Sequence, residues 1–198
     1  MNGKDISKRL IFYHCFILFG ILFAVVIQKI YENYFRSNTL IFVIISNIVQ
    51  LISYIALYKI NYSYKISLIL RIILTVFSIS SQSFNNRIIY IVCIFATNIL
   101  SIFIEFYFIK GIIDIFKCFG EEEFCKKWDF ILYAIMVYII PKSILNIVSI
   151  FNIQDEKCSF AITVFSFIVL LLGMFAITYD LIYKVKSIIF LWKTEKQL

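Results

Sequence analysis

The stretch SFAITVFSFIVLLLGMFAITYDLIY, residues 159–183, decides the fold class of this chain. Its only charged residue is Asp180. A helix needs about 20 apolar residues to cross the hydrocarbon core of a bilayer, and this run exceeds that length. Working outward, five further stretches of the same kind fill most of the chain: Leu10–Gln28, Leu40–Tyr58, Ile66–Ser83, Ile88–Ile109 and Phe130–Phe151. Hydrophobic residues make up 62% of the 198 residues and charged residues 16%. A water-soluble fold of this size could not bury so much apolar surface in one core, so lipid is the expected solvent. The reading is an all-α integral membrane protein, a six-transmembrane-helix bundle forming one polytopic domain over residues 1–198.

Charge sets the orientation. Lys4, Lys8, Arg9, Lys59, Lys65, Lys110, Lys117, Lys126, Lys127, Lys184, Lys186, Lys193 and Lys196 fall on one side of the expected membrane. The other side has only Lys29, Arg36, Arg87 and Lys157. Positive residues stay cytoplasmic during insertion, so both termini are expected inside. The first span, longer than the 7–15 apolar residues of a cleaved signal and without a small-residue cleavage site, reads as uncleaved. The Ile-, Phe-, Tyr-, Asn- and Lys-rich composition reflects AT-rich coding, and a bacterial plasma membrane is the expected location. The net charge of +7 is spread along the inner rim with no organising motif. It suits anionic lipid headgroups, each juxtamembrane Lys or Arg gaining about 1 kcal/mol, rather than nucleic acid.

Two lysine-bearing segments flank the inner face. In Lys110–Asp129, Ile112, Ile115, Phe116 and Phe119 recur at helical spacing, which predicts a short amphipathic segment lying along the headgroups. Gly120 interrupts it, and Glu121, Glu122 and Glu123 then favour the positive end of a new helix. In Lys184–Leu198, Val185, Ile188, Ile189 and Trp192 suit an interfacial helix or an extension of the last span. Both segments are candidate surfaces for a cytoplasmic or membrane protein partner.

The spans carry polar rows at helical spacing, such as Ser46, Asn47, Gln50 and Ser53, or Ser67, Arg71, Thr75 and Ser78. Such rows turn toward neighbouring helices, either as interhelical packing or around a polar cavity. The ionisable members matter most, because a charge at the bilayer centre costs at least ~2.5–3.5 kcal/mol. With a rise of 1.5 Å per residue, His14, Arg71, Glu105 and Asp180 all come out about 5–8 Å inside the cytoplasmic boundary. Arg71 is expected to pair with Glu105 or Asp180, with His14 nearby; independent snorkelling to the headgroups and a proton or ion site are the alternatives. Lys142, after the only proline, Pro141, lies deeper, about 14 Å or more from either boundary. It is expected to face the bundle, near the Val137 carbonyl freed by Pro141 or near the amides Gln50, Asn98 and Asn146.

Several chemistries lack their residues. The five cysteines form no C-x-x-C pair, and a disulfide between Cys93 and Cys158 is the one conceivable bridge. With His14 the single histidine, catalytic zinc is not expected, nor is any other cofactor. No P-loop or dinucleotide fingerprint is present. Glu121-Glu122-x-x-x-Lys126 is similar to the E-E-x-x-x-R motif of membrane-embedded prenyl-protein proteases, but Lys replaces Arg and the intramembrane histidines of that family are missing. In size and six-helix plan the chain looks like the substrate-binding subunits of energy-coupling-factor vitamin transporters, an analogy of architecture that transfers no binding residue. The expectation is a non-catalytic accessory, regulatory or anchoring membrane subunit; the alternative is a substrate- or ion-binding component of a transporter. A cavity of several hundred Å³ converging on Lys142 would favour the second.

Overall fold

A computed structural model describes residues 2–35, 40–83, 87–150 and 156–194, with side chains described for all of these except 21, 23–35, 40–43, 81–83, 87, 146–147, 149–150 and 156–159. Those residues form six helices: α1 (Gly3–Phe35), α2 (Leu40–Leu57), α3 (Tyr62–Ser83), α4 (Arg87–Phe119), α5 (Glu122–Ile150) and α6 (Glu156–Lys193). Each packs on its neighbours in sequence, and α6 returns to α1, so the helices close a ring in chain order. Gly3 at the head of α1 lies against the Leu191 carbonyl and Thr194, which brings the two ends of the chain together.

Four helices contain segments long and apolar enough to cross a membrane: Tyr62–Ser80, Ile88–Phe119, Glu122–Leu145 and Phe160–Lys193. Among the described residues α2 contributes a shorter apolar segment, Ile44–Leu57. The faces point the same way. On α2, Ser46, Asn47 and Ser53 are buried while Ile45, Ile48, Ile52 and Ile55 are exposed. On α3, Ser63, Ser67 and Thr75 are buried while Ile69, Ile72, Ile73 and Val76 are exposed. Polar stripes inside and isoleucine outside reverse the arrangement of a water-soluble bundle and fit a lipid surround.

The described core gathers at the end of the ring where α1, α3 and α5 begin and α2, α4 and α6 finish. Ile6 and Leu10, Leu57, Tyr64, Phe116, Trp128, Ile131 and Leu191 are all sealed there. Asn61 caps α3, accepting from the Tyr64 amide at 3.0 Å, and its own amide donates to the Gly111 carbonyl at 2.7 Å. The Tyr64 ring then lies flat on Gly111, where a Cβ would come within 2.8 Å of its Cε1. This close approach is what glycine permits in an otherwise isoleucine-rich helix.

One expectation changes here, and the tail takes one of its two expected forms, an extension of the last helix. Ile112, Ile115, Phe116 and Phe119 do not lie on a headgroup surface: α4 runs unbroken through Lys110 to Phe119, and all four are buried. Their stripe has protein to cover it, since Phe116 stacks on Phe124 at 4.6 Å and meets Phe190 at 5.8 Å. The tail likewise continues α6 to Lys193, and the Trp128 indole N–H on α5 donates to Ser187 Oγ on α6 at 2.9 Å. The α4–α5 boundary falls at Gly120, whose φ is 74°. The Gly120 amide donates to the Lys117 carbonyl at 3.0 Å and the Glu121 amide to the Phe116 carbonyl at 2.9 Å, a Schellman closure.

Candidate functional site

A cavity of about 460 Å³ lies between α4, α5 and α6. Asn98, Ser101 and Glu105 line it from α4, Tyr138, Lys142 and Ser143 from α5, and Asp180 and Lys184 from α6. A second cavity of about 180 Å³ lies among α1 to α4, with Tyr13, Gln50, Tyr54 and Arg71 in its wall. Phe108 of α4 stacks on Tyr13 of α1, with ring centroids 4.7 Å apart. Ser101 and Glu105 border both spaces.

Of the expected layer of His14, Arg71, Glu105 and Asp180, Glu105 borders both cavities, Asp180 the larger and Arg71 the smaller. Glu105 has Lys184, Asp180, Arg71 and Lys142 as its charged neighbours. The partners differ from those expected. Arg71 pairs with neither carboxylate; it donates to Asn47 Oδ1 at 3.2 Å and to Gln50 Oε1, and its Nε has no partner. The guanidinium points along the α2–α3 seam, where neutral amides stand at its own level, while Glu105 lies across the smaller cavity. Asp180 pairs within its own helix: its Oδ2 is 2.5 Å from Lys184 Nζ, one turn on, and its Oδ1 is buried without a partner. His14 borders neither cavity and packs edge-on against Phe108, centroids 6.1 Å apart.

Lys142 is exposed on α5 and borders the larger cavity, with Nζ 5.4 Å from the centre of the Tyr138 ring. Of the amides expected beside it, Asn98 borders the same cavity and donates to the Ile94 carbonyl at 2.9 Å. Gln50 does not; it belongs to Arg71. The Asn146 side chain, with that of Cys158, lies outside the described residues, and Cys93 is a free thiol.

Three contributors escaped the sequence reading. Lys184 counts there as an interfacial charge, although its i,i+4 relation to Asp180 was in view. Tyr138 stands one turn before Lys142, and its ring occupies the notch at Gly173, where a Cβ would collide with it. Phe108 carries no signal in a sequence with 22 phenylalanines.

The larger cavity thus presents two carboxylates and two ammonium groups with neutral hydrogen-bonding side chains between them. Among the described residues no three His, Cys, Asp or Glu side chains gather as a metal site. Compared with known proteins, the chain matches no protein family, no curated protein and no solved structure.

Proposed function

We propose that this chain is a multi-pass plasma-membrane protein of six spans with both termini cytoplasmic. It has no catalytic activity of its own and binds a small polar solute between α4, α5 and α6 as a component of a membrane transport system. The observation that carries the reading is the cavity of about 460 Å³ that Lys142 borders together with Glu105. Pockets of a few hundred Å³ with a few convergent polar groups are the usual form of small-molecule sites. Two features bear on the alternative that the polar rows are packing alone. Glu105 and Lys142 have no hydrogen-bond or ion-pair partner among the described residues. Ionisable residues inside a membrane are costly, and by default they mark functional sites.

The test is thermal unfolding of the purified protein in lipid nanodiscs with amino acids, amines, carboxylates, sugars and nucleosides added in turn. A solute at a hundred times its Kd stabilises by about 2.7 kcal/mol. For a chain of this size that corresponds to a rise in Tm of roughly 5–10 °C. The reading fails if no class of solute shifts the transition. Topology has its own test: a reporter active only outside the membrane, fused after Leu198, should stay silent.

A second reading, an accessory subunit engaging a protein partner, has one observation in its favour. The charged segments Lys110–Asp129 and Lys184–Leu198 pack together at one end of the bundle, as the Phe124–Phe190 contact at 5.0 Å shows for their described part. Co-purification of a stoichiometric partner, lost when Lys117, Lys126 and Lys186 are reversed in charge, would favour it.

A further inference from the structure

We propose, resting on the cavity reading above, that the molecule bound between α4, α5 and α6 is a small zwitterion. Its cationic group meets Glu105 and its anionic group meets Lys142.

Two of the cavity's four charges already satisfy each other. Of the four that border the cavity, Asp180 and Lys184 hold each other at 2.5 Å. That leaves Glu105 and Lys142, of opposite sign, bordering one cavity. Lys142 has only the Tyr138 ring face at 5.4 Å, and Glu105 has no hydrogen bond or ion pair among the described residues. A cation alone would satisfy Glu105 and leave Lys142 as it stands, and an anion alone would do the reverse. A molecule carrying both charges satisfies the two together and brings no net charge into the bundle.

Spacing supports the same conclusion. The α4–α5 hairpin turns at Gly120, and the Cys125 thiol meets the Ile113 carbonyl at 3.8 Å. This register sets Glu105 opposite residues 133–135 of α5, so Lys142 stands roughly 10–13 Å further along the axis at 1.5 Å per residue. The side chains narrow that gap, because each leans toward the start of its own helix and α4 and α5 run antiparallel. Lys142 does so visibly, its Nζ lying over a ring one turn back. What remains is an interval of several ångströms, about the reach of one small molecule with hydrogen-bonded charges at both ends. Asn98, Ser101 and Ser143 also line the cavity. The Tyr138 ring, seated at Gly173, fixes the platform under Lys142.

An ammonium with a nearby anion occurs in free α-amino acids and in the phosphatidylethanolamine headgroup, and the experiment separates the two. The protein is placed in nanodiscs of phosphatidylglycerol alone, and Tm and calorimetric binding are followed on adding leucine, serine, lysine or glutamate. The amine and carboxylic-acid analogues of each, glucose, and phosphatidylethanolamine introduced into the disc are compared. The expected result is a zwitterion that binds at least tenfold more tightly than its amine and its acid, with binding lost in both Glu105→Gln and Lys142→Met. Should either variant misfold, the analogue series on the unaltered protein decides alone. Response to a free amino acid supports the proposal and assigns a solute. Response to phosphatidylethanolamine only supports the zwitterion but overturns the transport reading. An amine that binds as tightly as its zwitterion, with no effect of Lys142→Met, overturns the proposal in favour of a cation site. Binding of glucose without any zwitterion overturns it while the cavity reading stands, and silence from every compound overturns both.

Discussion

Replacing Lys184 by methionine isolates the ion pair in the cavity wall. The Asp180 and Lys184 side chains are 13% and 20% exposed, and Oδ2 to Nζ is 2.5 Å. That burial places the pair beyond the 0–1 kcal/mol of exposed surface pairs. Losing one partner of a buried pair costs about 3–5 kcal/mol, because the other charge is left uncompensated. Lys184→Met is therefore expected to destabilise by about 3–4 kcal/mol. Asp180 Oδ1 already lacks a partner, so nothing nearby takes over from Lys184. Asp180→Asn removes the charge and keeps the shape, so the double variant should recover most of the loss, a coupling of roughly 2–3 kcal/mol. Reversible unfolding in mixed micelles of all four proteins measures the cycle. A loss below about 1 kcal/mol in Lys184→Met, or a double variant no better than the single, would refute the reasoning.

Three other substitutions test separate parts of the structure. Gly120→Ala should cost about 1 kcal/mol from backbone alone, since φ is 74° and nothing lies within 4 Å of the added methyl; unfolding measurements that show no loss would remove the Schellman turn. Tyr64→Phe should be neutral or stabilising by up to roughly 1 kcal/mol, because the hydroxyl is buried without a partner; a clear loss of stability would mean the hydroxyl is bonded after all. Gly173→Ala places a methyl into the Tyr138 ring, and overpacking of about 1–3 kcal/mol is partly offset by alanine's ~1 kcal/mol helix advantage. Its larger effect should be a weakening of solute binding of tenfold or more, measured by calorimetry, as the platform under Lys142 moves.

The fold was largely legible because lipid imposes a simple rule: each long apolar run is a helix. The boundary at Gly120 was legible too, since glycine followed by three glutamates is a stop and a start in either solvent. The continuation of α4 past Lys110 was not. Lysine and an amphipathic stripe mark a membrane boundary in sequence, but nothing in Lys110-Gly111 breaks a helix, and Gly111 serves contact with Tyr64 rather than a turn. An apolar stripe also cannot say what covers it; Phe124 and Phe190 cover this one, from helices 8 and 74 residues beyond Phe116.

The site divides along the same line. Counting residues gives an expected depth along a helix, and that count assigns His14, Arg71, Glu105 and Asp180 to one layer without knowledge of packing. Direction around the helix axis does not follow from counting, and direction chooses partners. Arg71 turns to α2 and meets Asn47 and Gln50, while Asp180 finds Lys184 one turn along α6. Glu105 borders both cavities and has no hydrogen bond or ion pair to a described residue in either. A carboxylate left in that position by packing alone would be better replaced by glutamine, which suits the same volume at a fraction of the desolvation cost.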